Sequence, residues 1–119
     1  MNTFKAPALE TTGAVQGGTI STLERTKQLL IEENHHLQQL GICKTGIFGS
    51  VARGDDTMES DVDILIELNS DHNLTLISLV ELEQAFSERL NKKVELVIGS
   101  NLKPQMKEKV LKEVIYVEA

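Results

Sequence analysis

Ile47 to Leu68, IFGSVARGDDTMESDVDILIEL, is the stretch whose reading decides the fold. An apolar run ends in Gly49-Ser50, a polar turn follows, and Ser60 to Leu68 then alternates between acids and aliphatics. A strand has a side-chain period of two, so Asp61 and Asp63 fall on one face while Val62 and Ile64 point to the other, into a core. Two carboxylates spaced roughly 7 Å along a strand cannot be buried together without a cation, because desolvating each charge costs several kcal/mol. A divalent metal is the natural counter-charge. Gly49 lets a backbone approach an anionic oxygen closely, and Ser50 offers a hydroxyl and an N–H where a short helix opens and partial positive charge favours phosphate. Taken singly, the glycine and serine could be a simple turn and the two aspartates a solvated edge strand. Arg53 suits either a triphosphate oxygen or an ion pair with Asp55 or Asp56.

The combination is more specific than its parts. Ten residues separate Ser50 from Asp61. This spacing resembles the GS-x10-DxD signature of the nucleotidyltransferase superfamily that includes DNA polymerase beta, and GSVARG resembles its minimal nucleotidyltransferase (MNT) branch. The resemblance implies an α/β (α+β) nucleotidyltransferase fold, a small mixed sheet with helices packed on it, as a single domain over 21–119; residues 1–20, rich in Thr, Gly and Ala without a sustained period, are expected to be a flexible tail. It also implies a site: Asp61, Asp63 and Glu95 as catalytic carboxylates holding two Mg2+ ions, with Gly49, Ser50 and Arg53 contacting the phosphates of ATP. Glu95 takes the place of the third carboxylate, which in that superfamily comes from a strand beside the acidic one and is more commonly Asp. The extra methylene matters, because catalytic geometry tolerates about 0.5 Å. The MNT branch further implies an antitoxin that moves AMP to a tyrosine of a HEPN-domain toxin. A non-catalytic antitoxin that masks the toxin by contact, and a small-molecule nucleotidyltransferase of the aminoglycoside-modifying kind, are the competing readings.

Bulk properties agree with one small domain. At 119 residues the chain supports one core, built from aliphatic residues since aromatics are only 3%. A formal net charge of -6 argues against a broad hold on nucleic acid, which needs lysines and arginines to neutralise several phosphates. The single cysteine, Cys43, lies in an apolar run and reads as a small core residue in a reducing cytoplasm. No apolar run approaches ~18 residues and no basic-then-apolar leader opens the chain, so neither a membrane span nor export is expected.

The remaining elements follow from periodicity. Ser21-Thr22-Leu23-Glu24 is a capping box that predicts a helix running to about Leu40, with Leu23, Thr26, Leu30, Leu37 and Leu40 inward and His35 and His36 solvated. Ile42 to Phe48 predicts a strand. A second helix is expected over Thr75 to Leu90, with a stripe of Leu76, Leu79, Val80, Leu82, Phe86 and Leu90. Val94 to Ile98 predicts a third strand. Pro104 suits the start of a last helix, Gln105 to Glu113, with Met106, Val110 and Leu111 on its apolar side. Val114 to Val117 fits either a helix end or a short strand.

Overall fold

A computed structural model describes residues 20–118; the expected tail, 1–20, lies outside them except for Ile20. In chain order the elements are α1 (Thr22–Glu32), α2 (Asn34–Gln39), β1 (Ile42–Phe48), α3 (Ser50–Arg53), β2 (Val62–Leu68), α4 (Leu76–Leu90), β3 (Val94–Ile98), a 3-10 turn (Gly99–Asn101), α5 (Pro104–Glu113) and β4 (Ile115–Val117). The four strands form one mixed sheet in the order β3-β2-β1-β4. β1 runs antiparallel to both β2 and β4, whereas β2 and β3 are parallel and joined by the α4 crossover. The expected mixed α/β architecture is therefore present.

One face of the sheet carries the main core. Ile42 and Ile47 from β1, Val62, Ile64 and Ile66 from β2, and Val94 and Leu96 from β3 pack against Leu29 and Leu30 of α1, Leu37 of α2 and Leu82, Phe86 and Leu90 of α4. Val62 and Ile64 are fully buried, as the alternation of the acidic strand requires. Ser21 caps α1 by accepting the Glu24 N–H at 3.1 Å, and Thr75 caps α4 by accepting the Ser78 N–H at 3.1 Å.

β3 is an edge strand, and α4 covers its outward N–H groups. The Val94 N–H donates to Ser87 Oγ at 2.9 Å and the Leu96 N–H to the Glu83 carboxylate at 2.8 Å. Two unpaired donors that could template pairing with another chain are thereby satisfied. Among the described residues no helix is long and apolar enough to cross a membrane.

Several expectations are corrected. The first helix is interrupted at Glu33, where φ is -92° and ψ 5°, and Arg89 of α4 forms ion pairs with both Glu32 and Glu33 at that point. Cys43 is exposed and not a core residue. An irregularity in the β1–β2 register between Ile42 and Lys44 accompanies this: Ile42 stays buried, and the Cys43 thiol turns outward to donate to the Glu67 carbonyl at 3.4 Å. The α4 stripe is fully buried only from Leu82 onward: Leu79 packs against the core part-buried, while Leu76 and Val80 stand in solvent. In α5 only Val110 is buried, while Met106 and Leu111 are exposed. The segment after α5 resolves as a strand, with Ile115 opposite Ile47. Gly46 admits it, since a Cβ there would lie 2.6 Å from a Val114 methyl.

Candidate active site

The candidate site lies on the sheet face opposite the main core, where β1 ends and β2 and β3 begin. Asp63 is its centre. Antiparallel pairing sets Asp63 beside Phe48, the residue before Gly49, and parallel pairing sets it beside Glu95 on the other side. A parallel register keeps paired side chains on one face, so Asp63 and Glu95 share it. Asp61, exposed, precedes β2. The start of β2 is pinned by the Val62 N–H donating to the Lys93 carbonyl at 2.8 Å.

The approach to Asp61 is held by a residue that periodicity does not single out. Lys92 donates from Nζ to the carbonyls of Thr57, Met58 and Ser60, at 2.9, 3.4 and 3.1 Å. An ammonium has three N–H donors, and here each meets a loop carbonyl that no strand partners. The loop carrying the DxD strand into the site is therefore fastened to the residue two before β3.

Gly49 is required twice over. Its φ of 78° lies in a region that side-chain-bearing residues rarely adopt, and a Cβ would sit 2.5 Å from Asp63 Oδ2. The glycine thus brings the turn backbone against the acidic strand, and Ser50 opens α3 immediately after it.

Electrostatics mark the same corner. Burial, and then the charges of Glu95, Asp61 and Glu113, push the Asp63 carboxyl from 3.8 up to about 6, with Glu95 also within hydrogen-bonding reach of it. Like charges crowd a half-buried carboxylate, an arrangement that favours a divalent cation bound through hard oxygen ligands. Asp61, Asp63 and Glu95 fit Mg2+ in donor type, and Asp63 and Glu95 share a face. Among the described residues, no three acid, histidine or cysteine side chains are already drawn together in metal-holding geometry. Asp61 and Glu95 are exposed.

Arg53 is engaged within the protein. Its Nε donates to Asp55 at 3.3 Å and its Nη1 to Glu113 at 2.9 Å, and these two acids hold the guanidinium pKa above its ordinary value, Glu113 foremost. Glu113 also accepts the Gly49 N–H at 2.7 Å. Sequence reasoning missed Glu113. The one signal was an acid in the last position of a helix, where the dipole disfavours negative charge.

An acidic strand flanked by a second carboxylate and faced by a glycine-initiated turn defines a class: enzymes that transfer a nucleotidyl group. The nucleotidyltransferase domain family model matches residues 28–117, and the chain belongs to that family. It is 36% identical over 97 residues to the protein adenylyltransferase MntA of Thermococcus cleftensis, covering 81% of this chain and 96% of that one. A minimal nucleotidyltransferase of solved structure superposes with a TM-score of 0.67 at 29% identity, over 83% of this chain and 98% of that one. A chain of the complex described as tri-AMPylated Shewanella oneidensis HEPN toxin with MNT antitoxin has the same fold, with a TM-score of 0.52 at 21% identity, over 78% of this chain and 72% of that one.

Proposed function

We propose that this nucleotidyltransferase moves AMP from ATP to a tyrosine hydroxyl of a HEPN-domain toxin, and so acts as an antitoxin. The observation that carries the reading is the register that seats Asp63 between Phe48-Gly49 and Glu95. That register puts Asp63, Glu95 and the turn that follows Phe48 at one corner of the sheet, which supports the reading. The named activity of the Thermococcus cleftensis relative supports the transferred group, and the HEPN–MNT complex supports the class of partner.

In this reading Gly49 and Ser50 receive the β,γ-phosphates through backbone N–H groups and a hydroxyl, with Arg53 added once it leaves Glu113. Asp61, Asp63 and Glu95 would hold two Mg2+ ions, which when bound supply charge neutralisation for the attacking and leaving oxygens. The tyrosine oxygen attacks the α-phosphorus, the bond from that phosphorus to the bridging oxygen breaks, and pyrophosphate leaves. The Glu95 carboxylate accepts the tyrosine proton. Positioning and charge carry this chemistry, with no covalent enzyme intermediate. An acceptor borne on another macromolecule fits an open corner flanked by exposed Asp61 and Glu95.

The test uses the protein encoded beside this chain's own reading frame, which this reading expects to be a HEPN protein, incubated with the purified chain, ATP and MgCl2 and weighed by intact-mass spectrometry. Whole AMP increments on a tyrosine, lost with Asp61→Asn and Asp63→Asn, are the expected result. Neutralisation of the toxin that persists in both variants without added mass would overturn transfer in favour of masking by contact. AMP appearing on an aminoglycoside and not on protein would select the small-molecule reading.

A further inference from the structure

Two of the donors that the Gly-Ser turn and Arg53 offer to an anion are already in use. One oxygen of Glu113 accepts the Gly49 N–H at 2.7 Å and the other accepts from Arg53 Nη1 at 2.9 Å. A carboxylate presenting one oxygen to each of two donors reproduces the edge that a phosphate would present to them. The Glu113 side chain is 19% exposed, against 46% for Arg53, so the acid sits in the corner with the arginine closing over it. Glu113 reaches this place from the last position of α5, where the helix dipole works against its charge. The turn supplies the positive partners that the helix end denies it.

We propose that Glu113 is an internal occupant of the phosphate cradle, which the polyphosphate of a nucleotide must displace, and that Glu113 thereby sets nucleotide affinity. The inference rests on reading Gly49-Ser50 as the phosphate-binding turn. Displacement is local: Arg53 is half in solvent, where ion pairs are weak, and a triphosphate brings more charge and more acceptor oxygens than one carboxylate. The expelled acid is the last residue of α5, and β4 is hydrogen-bonded to β1 from Ile115 onward, so the strand need not move. A binding-competent cradle that is only fractionally open weakens apparent affinity by that fraction. A structural clamp predicts the opposite sign, because losing Glu113 would then free Arg53 and loosen the turn.

The experiment measures binding of inorganic tripolyphosphate to the full chain and to Glu113→Gln and Glu113→Ala by titration calorimetry, without metal. The 15N-labelled Gly49 amide is followed by NMR in parallel. Affinity is expected to rise by about three- to tenfold in the variants, as when a cradle that is closed most of the time is freed. The Gly49 amide resonance should move on adding tripolyphosphate to the wild type and should already be displaced in the anion-free variants. If Glu113→Ala fails to fold, the near-isosteric Glu113→Gln decides. Equal or weaker binding by the folded variant overturns the Glu113 inference and leaves the phosphate-turn reading standing. A Gly49 amide that ignores tripolyphosphate in every form overturns both.

Discussion

Asp63→Asn should make the protein more stable at neutral pH while abolishing transfer. The carboxyl moves from 3.8 to about 6 on folding, by burial first and then by Glu95, Asp61 and Glu113. At face value the charged form is disfavoured in the folded state by ~3 kcal/mol, from 1.36 kcal/mol per pH unit. Solvent reaches about half of the group and screens its neighbours, which reduces the effect to roughly 1–2 kcal/mol. The sign follows from linkage. A carboxyl whose folded pKa is raised binds its proton more tightly in the native state, so its favourable contribution is fully present below 3.8 and is lost as pH rises through about 6. Wild-type and Asp63→Asn proteins should therefore have similar unfolding free energies near pH 4 and diverge by roughly 1–2 kcal/mol by about pH 7, the variant being the more stable. For a domain of this size that is a melting-point difference of about 4–12 °C. Urea unfolding at a series of pH values, without divalent metal, reads it out. A variant equal to or less stable than wild type near neutral pH would refute the argument that like charges crowd Asp63.

Three further outcomes are expected. Gly49→Ala places a methyl 2.5 Å from Asp63 Oδ2 at a φ of 78°, and should cost roughly 1–3 kcal/mol in urea unfolding with loss of transfer. Unchanged stability would show that the turn can relax. Glu83→Ala strips the Leu96 N–H of its acceptor on the edge of β3 that α4 covers, and should cost about 1–3 kcal/mol and raise the tendency to self-associate in light scattering. Lys92→Met leaves the carbonyls of Thr57, Met58 and Ser60 without their shared donor, and should lower kcat by about tenfold with little change in KM for ATP, as expected when Asp61 is misplaced and the phosphate turn is intact.

The strands were legible because their pattern is local. β1 and β3 occupy the predicted residues, Ile42–Phe48 and Val94–Ile98, since alternation and β-branching act over neighbouring positions. The caps at Ser21 and Thr75 are local in the same way, each reaching an N–H three residues on. The helix stripes were legible only in part. Periodicity names an apolar side but not how far the sheet beneath it extends, so Leu76, Val80, Met106 and Leu111 are exposed although they share that side. Cys43 turned outward because one irregularity of register reverses which face a strand residue sees.

The sequence alone named the groups available at this corner: a glycine that lets the backbone approach closely, a serine after it, and two aspartates set two apart in an alternating stretch. Tertiary structure decided which groups meet. Glu95 stands beside Asp63 through the parallel register that the α4 crossover sets, and Glu113 reaches Gly49 from 64 residues away. Local periodicity fixes the direction of a side chain relative to its own element, whereas contacts between elements depend on how the layers pack, which no short stretch of residues encodes.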